Sequence, residues 1–257
     1  MNNSFDDILK TYNPVSLDKA NGISLMRRKD WKYVFNISQL PDILKGLKSE
    51  YNVLEISGLH SLKYINTYFD TPDFDFYKHH HNDKLNRFKV RKREYAASEQ
   101  SFLEVKYKTN KLITIKKRRR LKNGSSLKNE DNYKFINNNT NLQLENLEAK
   151  LTTSFNRITL ININRNERIT FDINLKLETD TKSVKFNNLV VAELKQDIFT
   201  KTFSPAKKLM KEFGIRPYRI SKYCMGIYLL NKNIKYNRFK SKLLTINKIC
   251  NGEFIIE

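Results

Sequence analysis

The sequence predicts an α+β fold in which about seven or eight antiparallel strands close into a barrel with a charged lumen and helices packed on its outside. Three observations carry that reading. Segment after segment alternates charged with aliphatic residues at a period of two, as a strand with two unlike faces does. The segments of helical spacing between them carry one apolar stripe each, enough to cover one face of a sheet. Closure then removes the exposed sheet edges that so many strands would otherwise leave. A flat sheet with its charged face in water satisfies the same alternation and stands as the alternative.

The balance of charge narrows the partner. The 257 residues hold 48 Lys and Arg against 27 Asp and Glu, a formal charge of +21 and a pI near 9.8. Such a surface suits a polyanion: nucleic acid, an anionic membrane surface or a phosphorylated small molecule. Cys224 and Cys250 form no disulfide framework and lack metal-ligand spacing. No leader and no run of about 18 apolar residues is present, so a soluble, cytoplasmic protein without a transmembrane segment is expected.

Along the chain, residues 1–22 read as an N-terminal arm with a short helix at Phe5–Tyr12. Ile23–Phe35 reads as the first strand, with Arg28, Asp30, Lys32 and Val34 on one face and Trp31, Tyr33 and Phe35 on the other. Ser38 is the expected N-cap of a helix to Glu50, whose stripe is Leu40, Ile43, Leu44 and Leu47. Ser61–Asp70 is a second strand, stopped before Pro72. Asp73–His81 reads as a short helix. Its run of His79, His80 and His81 is no chelate, because adjacent helical residues point apart.

Three basic strands follow. Leu85–Tyr95 places Arg87, Lys89, Arg91 and Arg93 on one face. Ser101–Thr109 places Phe102, Glu104, Lys106 and Lys108 together, and Leu112–Leu121 does the same for Thr114, Lys116, Arg118 and Arg120. Residues 122–141 read as loop or broken helix, and Leu142–Phe155 as a helix from Leu144, Leu147 and Leu151. Asn156–Asn164 and Arg168–Leu175 form a predicted hairpin, with Arg157 and Thr159 on one face of the first strand and Arg168, Thr170 and Asp172 on one face of the second. A short strand pair within Lys176–Asn188 leads to the strand Leu189–Gln196, where Val191, Glu193 and Lys195 share a face. Ser204 caps a helix ended by Gly214. Tyr218–Leu230 reads as another helix, with Arg219 and Lys222 one turn apart. The whole reads as one domain, residues 23–232, followed by a basic tail, residues 233–257, that the pattern does not place.

A lumen lined by Lys32, Arg91, Arg93, Lys106, Arg157 and Arg168 repels itself when empty and calls for an oxygen-rich polyanion. Arginine forks match phosphate oxygens bidentately, and lysines add point charges. Glu193 is an acid among these cations. It either neutralises Lys195 or Lys106, or anchors Mg²⁺ or Mn²⁺ together with phosphate oxygens. Asp30 and Glu104 are weaker candidates of the same kind.

An ordered set of short motifs carries a resemblance: Arg28-Lys29-Asp30-Trp31-Lys32-Tyr33, Lys89-Val90-Arg91-Lys92-Arg93, Phe102-Leu103-Glu104-Val105-Lys106, Asn156-Arg157, Arg168-Ile169-Thr170-Phe171-Asp172, Ala192-Glu193-Leu194-Lys195 and Arg219-Ile220-Ser221-Lys222-Tyr223. The chain resembles the VTC (vacuolar transporter chaperone) catalytic domain of the triphosphate tunnel metalloenzymes. That resemblance implies an eight-stranded antiparallel tunnel that makes inorganic polyphosphate from ATP with Mn²⁺ or Mg²⁺. It implies catalytic roles for Arg91, Arg93, Lys106, Arg157 and Arg168, and a metal-binding role for Glu193. Substrate contacts are expected from Lys32, Lys89, Lys116, Arg118, Lys195, Arg219 and Lys222. The first strand departs from the superfamily pattern, with Asp30 where a Glu-x-Glu-x-Lys motif is usual, and Arg219 stands where a lysine is usual.

Partners expected on this reading are ATP and polyphosphate, with no specific nucleic acid. The competing expectations are a non-catalytic polyphosphate or inositol-phosphate module, a triphosphatase of the same fold, an RNA-binding protein and peripheral membrane contact through the tail. Polymerase is preferred to hydrolase because a phosphate-chain acceptor is already ionised, and no lumen histidine is evident to activate water.

Overall fold

A computed structural model describes residues 4–21, 28–111, 113–122, 129–140, 147–197, 203–231 and 233–256. Eight principal strands make its sheet: β1 (Arg28–Asn36), β2 (Ser61–Asp70), β3 (Arg87–Tyr95), β4 (Gln100–Lys108), β5 (Thr114–Leu121), β6 (Glu148–Asn162), β7 (Glu167–Glu178) and β8 (Leu189–Asp197). Their hydrogen-bonded order is β1-β8-β7-β6-β2-β3-β4-β5, antiparallel throughout. Short strands at Pro14–Val15, Asn52–Leu54, Ser183–Phe186 and Ile255–Ile256 extend it.

The expected closed barrel is not closed by hydrogen bonds: among the described residues β1 and β5 share no ladder. The sheet is rolled all the same. Asp30 and Lys32 of β1 and Thr114 and Lys116 of β5 line one cavity. In a flat sheet of this order they would stand ~34 Å apart at about 4.8 Å per strand. The open seam has a cause in the sequence. Lys116–Arg120 is an unbroken cationic run, so β5 carries charge on both faces, a pattern that blunts an edge against pairing.

Among the described residues eight helices flank the sheet: α1 (Ser4–Lys10), α2 (Leu17–Asn21), α3 (Leu40–Leu47), α4 (Asp75–His81), α5 (Glu130–Thr140), α6 (Pro205–Glu212), α7 (Lys222–Leu230) and α8 (Lys240–Ile249). The outer face behaves as its alternation predicts. Tyr33, Phe35, Ile169, Phe171, Val190, Ala192 and Leu194 pack against Leu9 of α1, the Leu40–Leu47 stripe of α3 and Met210 of α6. Ser204 caps α6 by accepting from the Lys207 amide, and Gly214 follows with φ +70°.

The expectation that helices lie only outside is corrected by α7. Its Tyr223, Cys224 and Ile227 join a cluster with Tyr64, Tyr68, Leu151, Phe155 and Val191, residues of the inner face, and Ile246 of α8 adds to it. Contact is close enough to demand glycine: a Cβ on Gly226 would lie 2.4 Å from Leu151 Cδ2. Aromatic and aliphatic side chains thus fill one part of the concavity, and the charges keep the rest. Asn174, at φ 53°, marks the shift of register between β6 and β7, beyond which Leu175 and Leu177 join this inner cluster.

Three local expectations also shift. The predicted helix over 142–155 is largely strand: residues 141–146 lie outside the described set, and β6 starts at Glu148. The leucine spacing fits a helix, but Thr152 and Thr153 are β-branched, and Leu151, Thr153 and Phe155 alternate inward. Asn36, not Ser38, caps the first turn before α3, accepting from the Ser38 amide at 3.0 Å. Finally, α7 begins at Lys222, capped by Ser221 Oγ accepting from Cys224 N, so Arg219 precedes the helix. The amide of Tyr218 instead donates to Lys32 O at 2.6 Å and fixes that segment against β1.

Candidate active site

Strand register sets the inner face. Lys32 stands opposite Glu193, Glu193 opposite Thr170, Asp172 opposite Arg157, Arg91 opposite Glu104, and Lys106 opposite both Lys89 and Lys116. Because the sheet is rolled, this charged face encloses a cavity of about 1760 Å³. Of the residues expected at the site, Lys32, Lys89, Lys106, Lys116, Arg168, Glu193, Lys195 and Arg219 line it. Arg91, Arg93, Arg157 and Lys222 are not among its lining residues, and Arg118 is exposed on β5 with its guanidinium 5.0 Å from the Phe102 ring.

Three acids organise the cations: Glu104 and Asp172, both buried, and Glu193, which is partly exposed. Glu193 pairs with Lys32 Nζ at 2.8 Å through Oε1 and with Lys195 Nζ at 3.2 Å through Oε2. Burial pushes its carboxyl up, but Lys195, Lys32 and Lys106 pull it well below the carboxylate range. Glu104, fully buried, accepts from Arg91 Nε at 2.7 Å and Nη2 at 2.6 Å and is also paired with Lys116. Arg91 Nη1 donates to Tyr68 Oη at 3.2 Å. Asp172 accepts from Arg157 Nε at 2.6 Å and Nη2 at 2.8 Å, and from Lys222 Nζ at 2.6 Å. Burial raises Asp172 too, yet Arg157 and Lys222 hold it ionised below its ordinary value.

Neutral groups hold two further cations. Arg93 donates to Asn66 Oδ1 at 2.8 Å and Lys89 to Ser221 Oγ at 3.1 Å. Among the described residues Lys106 has no carboxylate within ion-pair distance. Arg91, burial and Arg93 drive its ammonium well below the ordinary lysine value. Glu193, five strands away along the sheet, opposes that shift across the cavity. A lysine in that state has most to gain from an anion.

The fit to a metal is limited but real. Among the described residues no group of three or more His, Cys, Asp or Glu side chains converges for one. Glu193 could serve as a single protein ligand for an ion carried in by phosphate, as Mg²⁺ often is, once Lys32 or Lys195 yields its oxygen.

Several lining residues were not read from the sequence as site residues. His80 and His81 are in the wall, correcting the expectation of a lumen without histidine. Burial, then Lys89, Arg87 and Lys108, hold the His80 imidazole uncharged. Asp172 was legible as an anchor. Counting back from the turn at residues 163–166 pairs it with Arg157, and acid opposite base is a favourable cross-strand pair. Ser221, read from the sequence as part of the Tyr218–Leu230 helix, is both its cap and the acceptor for Lys89.

A rolled antiparallel sheet with a cationic inner face of this kind defines the triphosphate-tunnel class of proteins. The chain belongs to the VTC domain family, which matches residues 27–231. Among solved structures, a candidate adenylate cyclase from Bacillus halodurans shares the fold at TM-score 0.50 and 13% identity, covering 76% of this chain and 94% of its own. A candidate adenylyl cyclase from Hippeastrum with a dominant triphosphatase activity aligns at TM-score 0.46 and 14% identity, over 77% of this chain and 94% of its own. A protein from Pyrococcus horikoshii aligns at TM-score 0.44 and 15% identity, over 80% and 100% of the two chains. No curated protein matches the chain. Among the described residues no helix is long and apolar enough to cross a membrane.

Proposed function

We propose that the protein is a polyphosphate polymerase that moves the γ-phosphoryl group of ATP onto the end of an inorganic polyphosphate chain. One observation carries the reading. Lysines and arginines from β1, β3, β4, β5, β7 and β8 surround a single cavity, outnumbering the acids Asp30, Asp83 and Glu193 in its lining. That many converging cations suit a string of phosphates better than a single anion.

Lys32, Lys89, Lys106, Lys195 and Arg168 bind the phosphate oxygens and set the acceptor end in line with the γ-phosphorus. Arg91, Arg93 and Arg157 are fixed by Glu104, Asn66 and Asp172, so they present positive charge to the transferring group without reorganising. Glu193 would hold Mg²⁺ or Mn²⁺, which supplies further neutralisation of phosphate charge. The acceptor is already an oxyanion, so no side chain need take a proton from it.

Two other readings each rest on an observation. Arg91 and Arg157 spend their forks on internal carboxylates, which favours a binding module without turnover. His80 in the wall is the side chain a triphosphatase could use toward water, although burial and the cations around it leave it a weak base. Incubation of the purified chain with ATP and Mn²⁺ separates the three. Polymerase yields ADP and phosphate chains resolved on a gel; free phosphate alone identifies a hydrolase, and unchanged ATP a binding module.

A further inference from the structure

The family match ends at residue 231, but the chain does not leave the tunnel there. The segment after it is bound back onto the body. Phe239 is buried, with the rings of Tyr77, His81 and Tyr228 at 6.1, 5.3 and 5.3 Å. Ile246 and Cys250 are fully buried. Tyr77 Oη donates to Lys235 O at 2.9 Å, and Asn36 Nδ2 to Ile249 O at 2.7 Å. Ile255–Ile256 adds a strand to Ser183–Phe186. This docking carries Arg238 and Lys242 into the cavity wall, beside Arg219 and Lys108.

These four cations differ from most of the inner set. Glu193, Glu104 and Asp172 tie Lys32, Lys195, Arg91, Lys116, Arg157 and Lys222 to the sheet, while Arg93 and Lys89 bond to Asn66 and Ser221. Among the described residues no carboxylate lies within ion-pair distance of Arg238, Lys242, Arg219 or Lys108. Burial and Arg219 lower the Lys242 ammonium, and burial, Arg87 and Arg219 lower that of Lys108. The inner cations already match a short anion such as a triphosphate. The outer four are surplus to it and lengthen the cationic track.

We propose that Arg238 and Lys242, with Arg219 and Lys108, form a second anion subsite in the cavity wall that takes phosphates of a long polyphosphate chain beyond those held by the inner cations. The C-terminal segment is then part of the binding surface and gives the site its preference for long chains. This rests on the reading of the cavity as a polyphosphate tunnel.

The test is direct binding of tripolyphosphate, long-chain polyphosphate and single-stranded RNA to the full chain by titration calorimetry. R238A/K242A is expected to weaken long-chain polyphosphate about tenfold or more, each lost charged hydrogen bond contributing on that scale, while tripolyphosphate stays within about twofold. K248A removes one positive charge from an exposed position of α8 outside the wall and is expected to change neither. Equal weakening of both phosphates, no weakening of either, or an equal loss of RNA affinity overturns the subsite. If the unmodified protein binds neither phosphate, the tunnel reading itself falls, and this one with it. Should the double variant melt early, R238Q, at an exposed position, carries the same comparison.

Discussion

Asp172 ties the sheet to a helix: one carboxylate takes the Arg157 fork at 2.6 and 2.8 Å and the Lys222 ammonium at 2.6 Å. Both cations are largely buried, and Asp172 is 2% exposed. Removing the acid leaves two buried charges facing each other. Breaking a buried pair from one side costs about 3–5 kcal/mol. Asp172→Asn is therefore expected to lower the denaturant midpoint by a corresponding amount. Added tripolyphosphate should recover more stability in the variant than in the unmodified protein, because it supplies the missing negative charge. A variant as stable as the original would show that Arg157 and Lys222 find other partners.

Lys106 invites the opposite experiment. With no acid at contact distance and Arg91 beside it, it weighs against folding of the empty protein. Lys106→Met should raise the melting temperature without ligand. The same change should lower kcat for ATP turnover about a hundredfold, the scale for losing one preorganised charge. A fall in both quantities would mean that Lys106 is held by the structure rather than reserved for substrate.

Much of this site can be read from alternation and register, because both are local. The period of two places Arg87, Lys89, Arg91 and Arg93 on one face, and pairing across β3 and β4 sets Arg91 against Glu104. Periodicity does not say which face a sheet rolls toward, nor whether its ends meet. The seam between β1 and β5 and the seating of α7 on the inner face depend on contacts between segments far apart in the chain. Charge on an inner strand face also has two uses. Arg157 looks the same in sequence whether it points at substrate or grips Asp172. His80 was invisible for a related reason: α4 is short, and only the packing of Phe239 against His81 and Tyr77 shows which side of it faces the cavity.

Glu193 separates metal binding from electrostatic balance. Its two oxygens are engaged by Lys32 at 2.8 Å and Lys195 at 3.2 Å. Glu193→Gln frees both lysines and removes the negative charge from among them. In metal-free buffer with a chelator, tripolyphosphate affinity is expected to rise severalfold, since opposite charge in a shared site is no longer competing. With ATP and Mn²⁺, turnover should fall by about two orders of magnitude, because the protein's carboxylate contribution to the ion is gone. Turnover that survives intact would assign Glu193 to charge balance alone.

The pH dependence follows from Lys116. A third of its side chain meets solvent (33%), yet burial outweighs the pull of Glu104 and lowers its ammonium from 10.5 to about 8. Between those values the unfolded chain binds the proton that the folded one has lost. Stability of the empty protein should therefore rise with pH from about 8 to 10.5, a rise that Lys116→Gln should remove. Bound phosphate reverses the sign. An anion beside Lys116 favours its charged form, so binding above pH 8 takes up a proton, and affinity falls as pH rises. Titration calorimetry in two buffers of different ionisation enthalpy measures that uptake directly. No uptake near pH 8 to 9, with affinity unchanged, would place the bound phosphate away from Lys116, toward the Lys32 and Lys195 side of the cavity.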